Sequence, residues 1–266
     1  MINKNIVIKI VGLTFCITWI LSGCILFANQ FGYLKFGTPL SMGLFAIGAC
    51  APAIATFVVL TKNNVMTVKQ LLKTIFAVKQ PVIMYLLVII FVVVYFGIAV
   101  LTGLFEIDYE YAIYLSLMTI PLMILAGGLE EVGWRFVLNP ALEIKLPFAV
   151  ACLITGVIWS LWHLPMFFIE GSGQASMNFF IFSIGSLGLS FVYAAIYRIS
   201  KSVWLCVFIH ALNNSLYNSF ILKADNFEIA VIPVSITAFV LMVLSILAVT
   251  ITEKYKRFLR KETKEN

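Results

Sequence analysis

Eight stretches of this chain run for about 20 residues or more with almost no charge, and no other feature restricts its fold so tightly. A helix rises 1.5 Å per residue, so about 20 apolar residues cross the ~30 Å hydrocarbon layer of a bilayer. The stretches are 8–28, 40–61, 82–104, 112–134, 147–168, 178–199, 202–222 and 229–251. None alternates polar and apolar residues with period two, which excludes an outer-membrane barrel. Composition agrees, with 62% hydrophobic and 11% charged residues and a mean hydropathy of +1.05. Soluble domains carry about 25% charge and could not hide this much apolar surface. The expected fold is therefore all-α: a polytopic membrane protein of about eight transmembrane helices enclosing an intramembrane polar cavity. No internal repeat or long linker divides the chain, so residues 1–266 read as a single integral-membrane domain.

The charges orient it. With the N-terminus inside, sixteen of the 18 basic residues fall on the cytoplasmic side, leaving only Lys35 and Lys223 outside. Glu106, Asp108, Glu110, Glu170, Asp225 and Glu228 fall outside as well. The positive-inside rule then places both termini in the cytoplasm, consistent with an even number of spans. Residues 64–80 set Val68, Leu71, Leu72 and Ile75 opposite Lys69 and Lys73, the spacing of a helix lying in the interface before Pro81 opens the next span. This segment and the basic tail 252–266 are expected to touch anionic lipid. The plainer reading is that both only enforce topology. The net charge of +6 sits on these membrane-flanking segments, so no nucleic-acid partner is expected.

Leu21-Ser22-Gly23-Cys24 resembles a lipoprotein cleavage box, but Ile25, Leu26, Phe27 and Ala28 continue the apolar run, so the segment reads as an uncleaved signal anchor. The cysteines (Cys16, Cys24, Cys50, Cys152 and Cys206) all fall in predicted spans without paired spacing. They read as small packing residues.

Ionisable groups inside a membrane cost about 2.5–3.5 kcal/mol each at mid-helix and are functional candidates for that reason. Few qualify. The fourth stretch carries Gly127-Gly128-Leu129-Glu130-Glu131-Val132-Gly133-Trp134-Arg135, the fifth Trp159 to His163, and the seventh His210 to Asn214. Residues four apart share a helix face, which pairs Glu131 with Arg135, Trp159 with His163, and His210 with Asn214. Glu130 is turned about 100° from Glu131. One carboxylate is thus available to Arg135 while the other faces a cavity, and a guanidinium eases the repulsion between adjacent carboxylates. A free carboxylate, two imidazoles and an amide suffice for base-assisted attack of water on a peptide carbonyl. Singly, each has a bland explanation: a membrane His or Asn as helix-packing glue, and Glu131–Arg135 as a structural pair. Their concentration on three helices of an otherwise nonpolar chain favours chemistry.

The chain resembles the CPBP (Abi) family, which groups type II CAAX prenyl endopeptidases with bacteriocin-processing and immunity proteins. The resemblance rests on Glu130-Glu131 to Arg135, Trp159 to His163 and His210 to Asn214, in that order, within a motif-bearing core of 120–222. The second motif commonly begins with Phe, so Trp159 departs from it. The resemblance implies an intramembrane endopeptidase of the glutamate type. Glu130 and His163 would activate water, His210 and Asn214 would stabilise the oxyanion, and Glu131, Arg135 and Trp159 would support them. It also implies a membrane-associated or lipidated peptide, or a bacteriocin leader, as substrate, and the plasma membrane of a bacterium as location. No cofactor is expected, with a zinc site of Glu130, His163 and His210 as the variant. A non-proteolytic immunity or regulatory protein of the same fold, and a proton-coupled transporter, are the competing classes. Other protease designs fit worse: Asp108 and Asp225 lie in outer loops, Gly185-Ser186-Leu187-Gly188 is a poor serine-protease turn, and no His-Glu-x-x-His helix occurs.

Ideal spans leave one conflict. Glu130 would lie near the cytoplasmic end of its helix and His163 near the outer end of its own, roughly 15–20 Å apart in depth. Either the boundaries shift, to 119–138 and 150–168, or the connection around Asn139-Pro140 dips into the membrane.

Overall fold

A computed structural model describes residues 3–111, 113–217, 219–222 and 227–265. The outer-loop positions expected for Lys223 and Asp225 lie outside these residues. The fold is all-α and polytopic. Among the described residues, five helices are long and apolar enough to cross a membrane: α1 (Lys4–Gln30), α5 (Val82–Leu101), α10 (Phe148–His163, continued by a 3-10 turn to Phe168), α11 (Phe179–Ser200) and α13 (Phe227–Glu265). The stretch 40–61 is instead a bent pair, α2 (Pro39–Ala49) and α3 (Ala51–Lys62), meeting at 50°. Pro52 explains the bend, because it has no N–H for the preceding turn and its ring displaces a carbonyl. The seventh stretch forms only α12 (Val203–Tyr217), a shorter apolar helix, so a count of eight full-length spans is not established.

Residues 64–80 contain α4 (Val68–Ile75), shorter than the expected segment. It opens with a capping box in which Thr67 accepts from the Gln70 N–H and Gln70 accepts from the Thr67 N–H. Leu71 and Ile75 are buried while Lys69 and Lys73 are exposed. The basic segment 252–265 is not a separate tail but the helical continuation of α13.

The fourth stretch departs most from expectation. In place of one helix it forms α6 (Ile113–Met118), α7 (Ile120–Leu125), a 3-10 turn (Gly128–Glu130), α8 (Glu131–Gly133), a π-helical turn (Trp134–Leu138) and α9 (Asn139–Glu143). The interruptions have local causes. Pro121 cannot continue the ladder of α6, and Gly127-Gly128 favours irregular backbone. The breaks therefore fall upstream of Asn139-Pro140. Such backbone survives at membrane depth only where protein covers it. Here Gly133 lies so close to α3 that a Cβ on it would fall 2.7 Å from the Pro52 Cβ.

Packing is inside-out relative to a soluble protein. Ile8, Ile20, Ile83, Val93 and Phe239 are exposed on the outer faces, whereas Thr14, Thr18, Thr56, Ser116 and Ser190 are buried. The buried hydroxyls find partners: Thr18 donates to the Gly48 carbonyl at 2.8 Å and Ser190 to the Cys152 carbonyl at 2.9 Å. At one end of the bundle Arg198 bonds to Glu253 of α13 (Nε to Oε1, 2.8 Å) and to Glu143 of α9, tying the last helix to the broken segment. At the other end, β1 (Phe105–Ile107) and β2 (Phe220–Leu222) form a short antiparallel pair.

Candidate active site

The broken fourth segment removes the depth conflict. Glu130 ends its 3-10 turn beside α10 rather than a helix length away, and it is almost fully buried. Trp159 Nε1 donates to Glu130 Oε2 at 2.7 Å, and His163 Nε2 stands 4.0 Å from the same oxygen. The other ring nitrogen of His163, Nδ1, lies 2.9 Å from the Trp159 carbonyl. A carbonyl only accepts, so this bond places the proton on Nδ1 and leaves Nε2 of the neutral ring as a lone pair. A 4.0 Å gap between two acceptors suits one bridging water.

Glu131 points the other way, as its rotation from Glu130 requires. Its Oε2 is 3.1 Å from Arg135 Nε and its Oε1 is 3.3 Å from Nη1, with both side chains fully buried. The expected i, i+4 pair is therefore present. It has a further member: His210 Nδ1 lies 2.8 Å from Glu131 Oε1. The carboxylate thus joins a guanidinium to an imidazole and sets the orientation of the His210 ring. Arg135 also lies over the faces of Trp159 (4.7 Å) and Tyr193 (5.2 Å), where the ring quadrupoles favour a cation.

His210 is held from a third side. Its ring stacks on Tyr193 at 5.3 Å with 26° between planes, and the Tyr193 hydroxyl accepts from Asn213 Nδ2 at 2.9 Å. This leaves His210 Nε2 directed toward Gly127. A Cβ on Gly127 would fall 2.3 Å from Asn214 Nδ2 and 3.1 Å from His210 Nε2, so the amide and the imidazole crowd a backbone that only glycine provides. Glu130, Trp159, His163, His210 and Asn214 all line one cavity of about 170 Å³, together with Trp162, Phe182 and Tyr193. Glu131 and Arg135 do not line it; they stand behind it.

All seven residues expected at the site therefore lie in or directly behind one cavity. Tyr193, Trp162 and Gly127 were not anticipated as site residues. The Gly127-Gly128 pair immediately before Glu130 was the available signal for the last, whereas a lone Tyr in an apolar span carries none. Among the described residues, no three His, Cys, Asp or Glu side chains converge in a metal-binding group. Glu131 engages one nitrogen of His210 and the Trp159 carbonyl one of His163. These bonds use Nδ1 of each ring and leave Nε2 facing the cavity, an arrangement that serves proton transfer and metal ligation alike.

Comparison with known proteins adds an independent line. CAAX prenyl protease 2 of Methanococcus maripaludis is 31% identical over 102 residues, an alignment covering 35% of this chain and 37% of the relative. The family model described as type II CAAX prenyl endopeptidase Rce1-like matches residues 86–216, a segment that contains Glu130, Glu131, Arg135, Trp159, His163, His210 and Asn214. The similarity to type II CAAX prenyl endopeptidases is thus carried by residues 86–216, the segment that holds the candidate site.

Proposed function

We propose that the protein is an intramembrane endopeptidase that hydrolyses a peptide bond with water activated by Glu130 and His163. The observation that carries this reading is the convergence of Glu130, His163, His210 and Asn214 on one cavity. Water between Glu130 and His163 Nε2 gives up a proton to Glu130 as its oxygen attacks the carbonyl carbon. The C–N bond then breaks, the proton passes to the leaving nitrogen, and a carboxyl and an amine result. His210 Nε2 and the Asn214 amide donate to the oxygen on which charge develops. Glu131 Oε1, 2.8 Å from His210 Nδ1, holds the ring in the orientation that aims Nε2 at that oxygen. No step uses a metal.

The substrate is a membrane-associated or lipidated peptide, of which a bacteriocin leader is one kind. The protein is placed in a bacterial plasma membrane with both termini cytoplasmic, α4 and the basic end of α13 meeting anionic lipid. All of residues 1–266 form one membrane domain in this reading. The test uses purified protein in proteoliposomes with a panel of internally quenched peptides, some carrying a C-terminal prenylcysteine, and mass spectrometry of the products. Glu130→Gln should abolish cleavage while the detergent-solubilised protein keeps its melting profile. Near-normal turnover by that variant would refute the assignment of the base.

A further inference from the structure

We infer that the active-site cavity opens to the non-cytoplasmic side of the membrane, and that the substrate is a membrane-anchored peptide segment already exported to that side. The inference rests on the protease reading for its substrate, but its geometry stands on separate observations. The first is that the two ends of the bundle can be identified. Arg198 at the end of α11, Glu143 of α9 and Glu253 of α13 are joined by ion pairs, and Lys256 donates to the Ile199 carbonyl at 3.3 Å. At the opposite end, Asn29 near the end of α1 donates to the Glu170 carbonyl at 3.4 Å.

Charge then assigns the two ends. Lys4, Lys9, Lys145, Lys201, Lys254 and Arg257 belong with the Arg198 end by chain order, whereas Lys35 and Glu170 belong with the Asn29 end. The positive-inside rule makes the Arg198 end cytoplasmic.

The second observation is where the cavity lies between these ends. On α1 it is lined by Thr18 and Ser22, the latter about 27 Å along a helix that starts at Lys4. On α10 the lining begins at Trp159 and includes His163, its last residue. On α11 it runs from Phe182 and Ser186, in the half nearer Asn178, down to Leu189 and Tyr193. Gln174, from the loop at the Glu170 end, is also on the wall. No lining residue comes from the cytoplasmic ends of α3, α9, α11 or α13. These four elements therefore carry the cavity from mid-depth, where Tyr193, His210 and Asn214 stand, to the outer end of the bundle. A scissile bond would reach it from a peptide anchored in the outer leaflet or spanning the membrane, and not from a chain tethered to the cytoplasmic surface.

The test reads accessibility independently of activity. Ser186→Cys, a near-isosteric change on the cavity wall, is placed in a chain whose Cys16, Cys24 and Cys50 are replaced, with the fully buried Cys152 and Cys206 kept. Lys201→Cys in the same background marks the opposite end. A membrane-impermeant thiol reagent added to intact cells should label Ser186→Cys at least tenfold faster than Lys201→Cys, and permeabilisation should reverse that ratio by exposing the latter. Labelling of Lys201→Cys on intact cells, or of Ser186→Cys only after permeabilisation, overturns the inference. In a second arm, one reporter peptide is fused to a single-span anchor in either orientation in cells carrying the unmodified protein. Cleavage of the exported form alone is expected; cleavage of the cytoplasmic form overturns the substrate assignment. If neither is cut while Ser186→Cys labels from outside, the protease reading and its substrate fall together, and the sidedness of the cavity stands.

Discussion

Trp159 Nε1 donates a 2.7 Å hydrogen bond to Glu130 Oε2 across 29 positions of sequence, and this bond holds the free carboxylate of the Glu-Glu pair against α10. The same indole lies 5.7 Å from the His163 ring and 5.6 Å from that of His210, so one side chain touches three of the four groups that line the reaction space.

Replacing Trp159 with Phe keeps an aromatic face for Arg135, removes the donor and leaves a smaller ring in its place. A hydrogen bond to a charged group is worth about 1.5–3 kcal/mol, which converts to a loss of about 10- to 100-fold. Trp159→Phe should lower kcat/KM within that range and leave the melting temperature in detergent within a few degrees of wild type. Wild-type kinetics in this variant would show that the bond does not position Glu130 for the reaction.

Arg135 and Glu131 should fail differently from Glu130. They stand behind the cavity, fully buried, and Arg135→Ala leaves a carboxylate whose remaining close partner is the His210 ring. Breaking a buried pair from one side costs about 3–5 kcal/mol. Arg135→Ala is therefore expected to lower thermal stability and activity together, whereas Glu130→Gln lowers activity alone. A fully stable, inactive Arg135→Ala protein would mean that the guanidinium serves the chemistry and not the packing.

Local relations in this protein were legible from spacing, and nonlocal ones were not. Helical periodicity at four residues set Glu131 beside Arg135 and Trp159 beside His163, and the structure has both contacts. The bond from His210 to Glu131 crosses 79 positions and leaves no periodic trace. Tyr193 stacks on His210 from an apolar helix in which nothing marks it apart. The breaks in 113–143 did leave signals in Pro121 and Gly127-Gly128, but the surrounding apolar run outweighed them, which is why one span was expected. That error also produced the depth conflict between Glu130 and His163. Buried irregular backbone, and not a shifted helix boundary, resolves it.

Gly127 offers a test of that irregular backbone. A methyl group there would overlap the Asn214 amide at 2.3 Å and press on His210 Nε2 at 3.1 Å. The near atoms are side-chain ends, so the fold can absorb the change by moving them, and the reaction cannot. Gly127→Ala should express and melt much like wild type yet lose about 100-fold or more in kcat, since misplacement of about 1 Å already costs that much. Undiminished turnover would place the reacting carbonyl elsewhere in the cavity.

The oxyanion assignment makes the sharpest distinction between a metal-free site and a zinc site. Asn214 is a good amide donor and a poor zinc ligand, and it shares the Gly127 surface with His210 Nε2. Losing one oxyanion donor costs about 100- to 1,000-fold in kcat. Asn214→Ala should therefore be nearly as damaging as His210→Ala, with substrate KM changed far less than kcat. Were zinc to polarise the carbonyl, the metal would supply that stabilisation and Asn214 would matter little. Elemental analysis of purified, active protein and activity after exhaustive chelation provide the second measurement. Activity that survives chelation, with well under one zinc per chain, is the expected outcome. About one zinc per chain, with activity lost to chelator and restored by zinc, would make Glu130, His163 and His210 ligands.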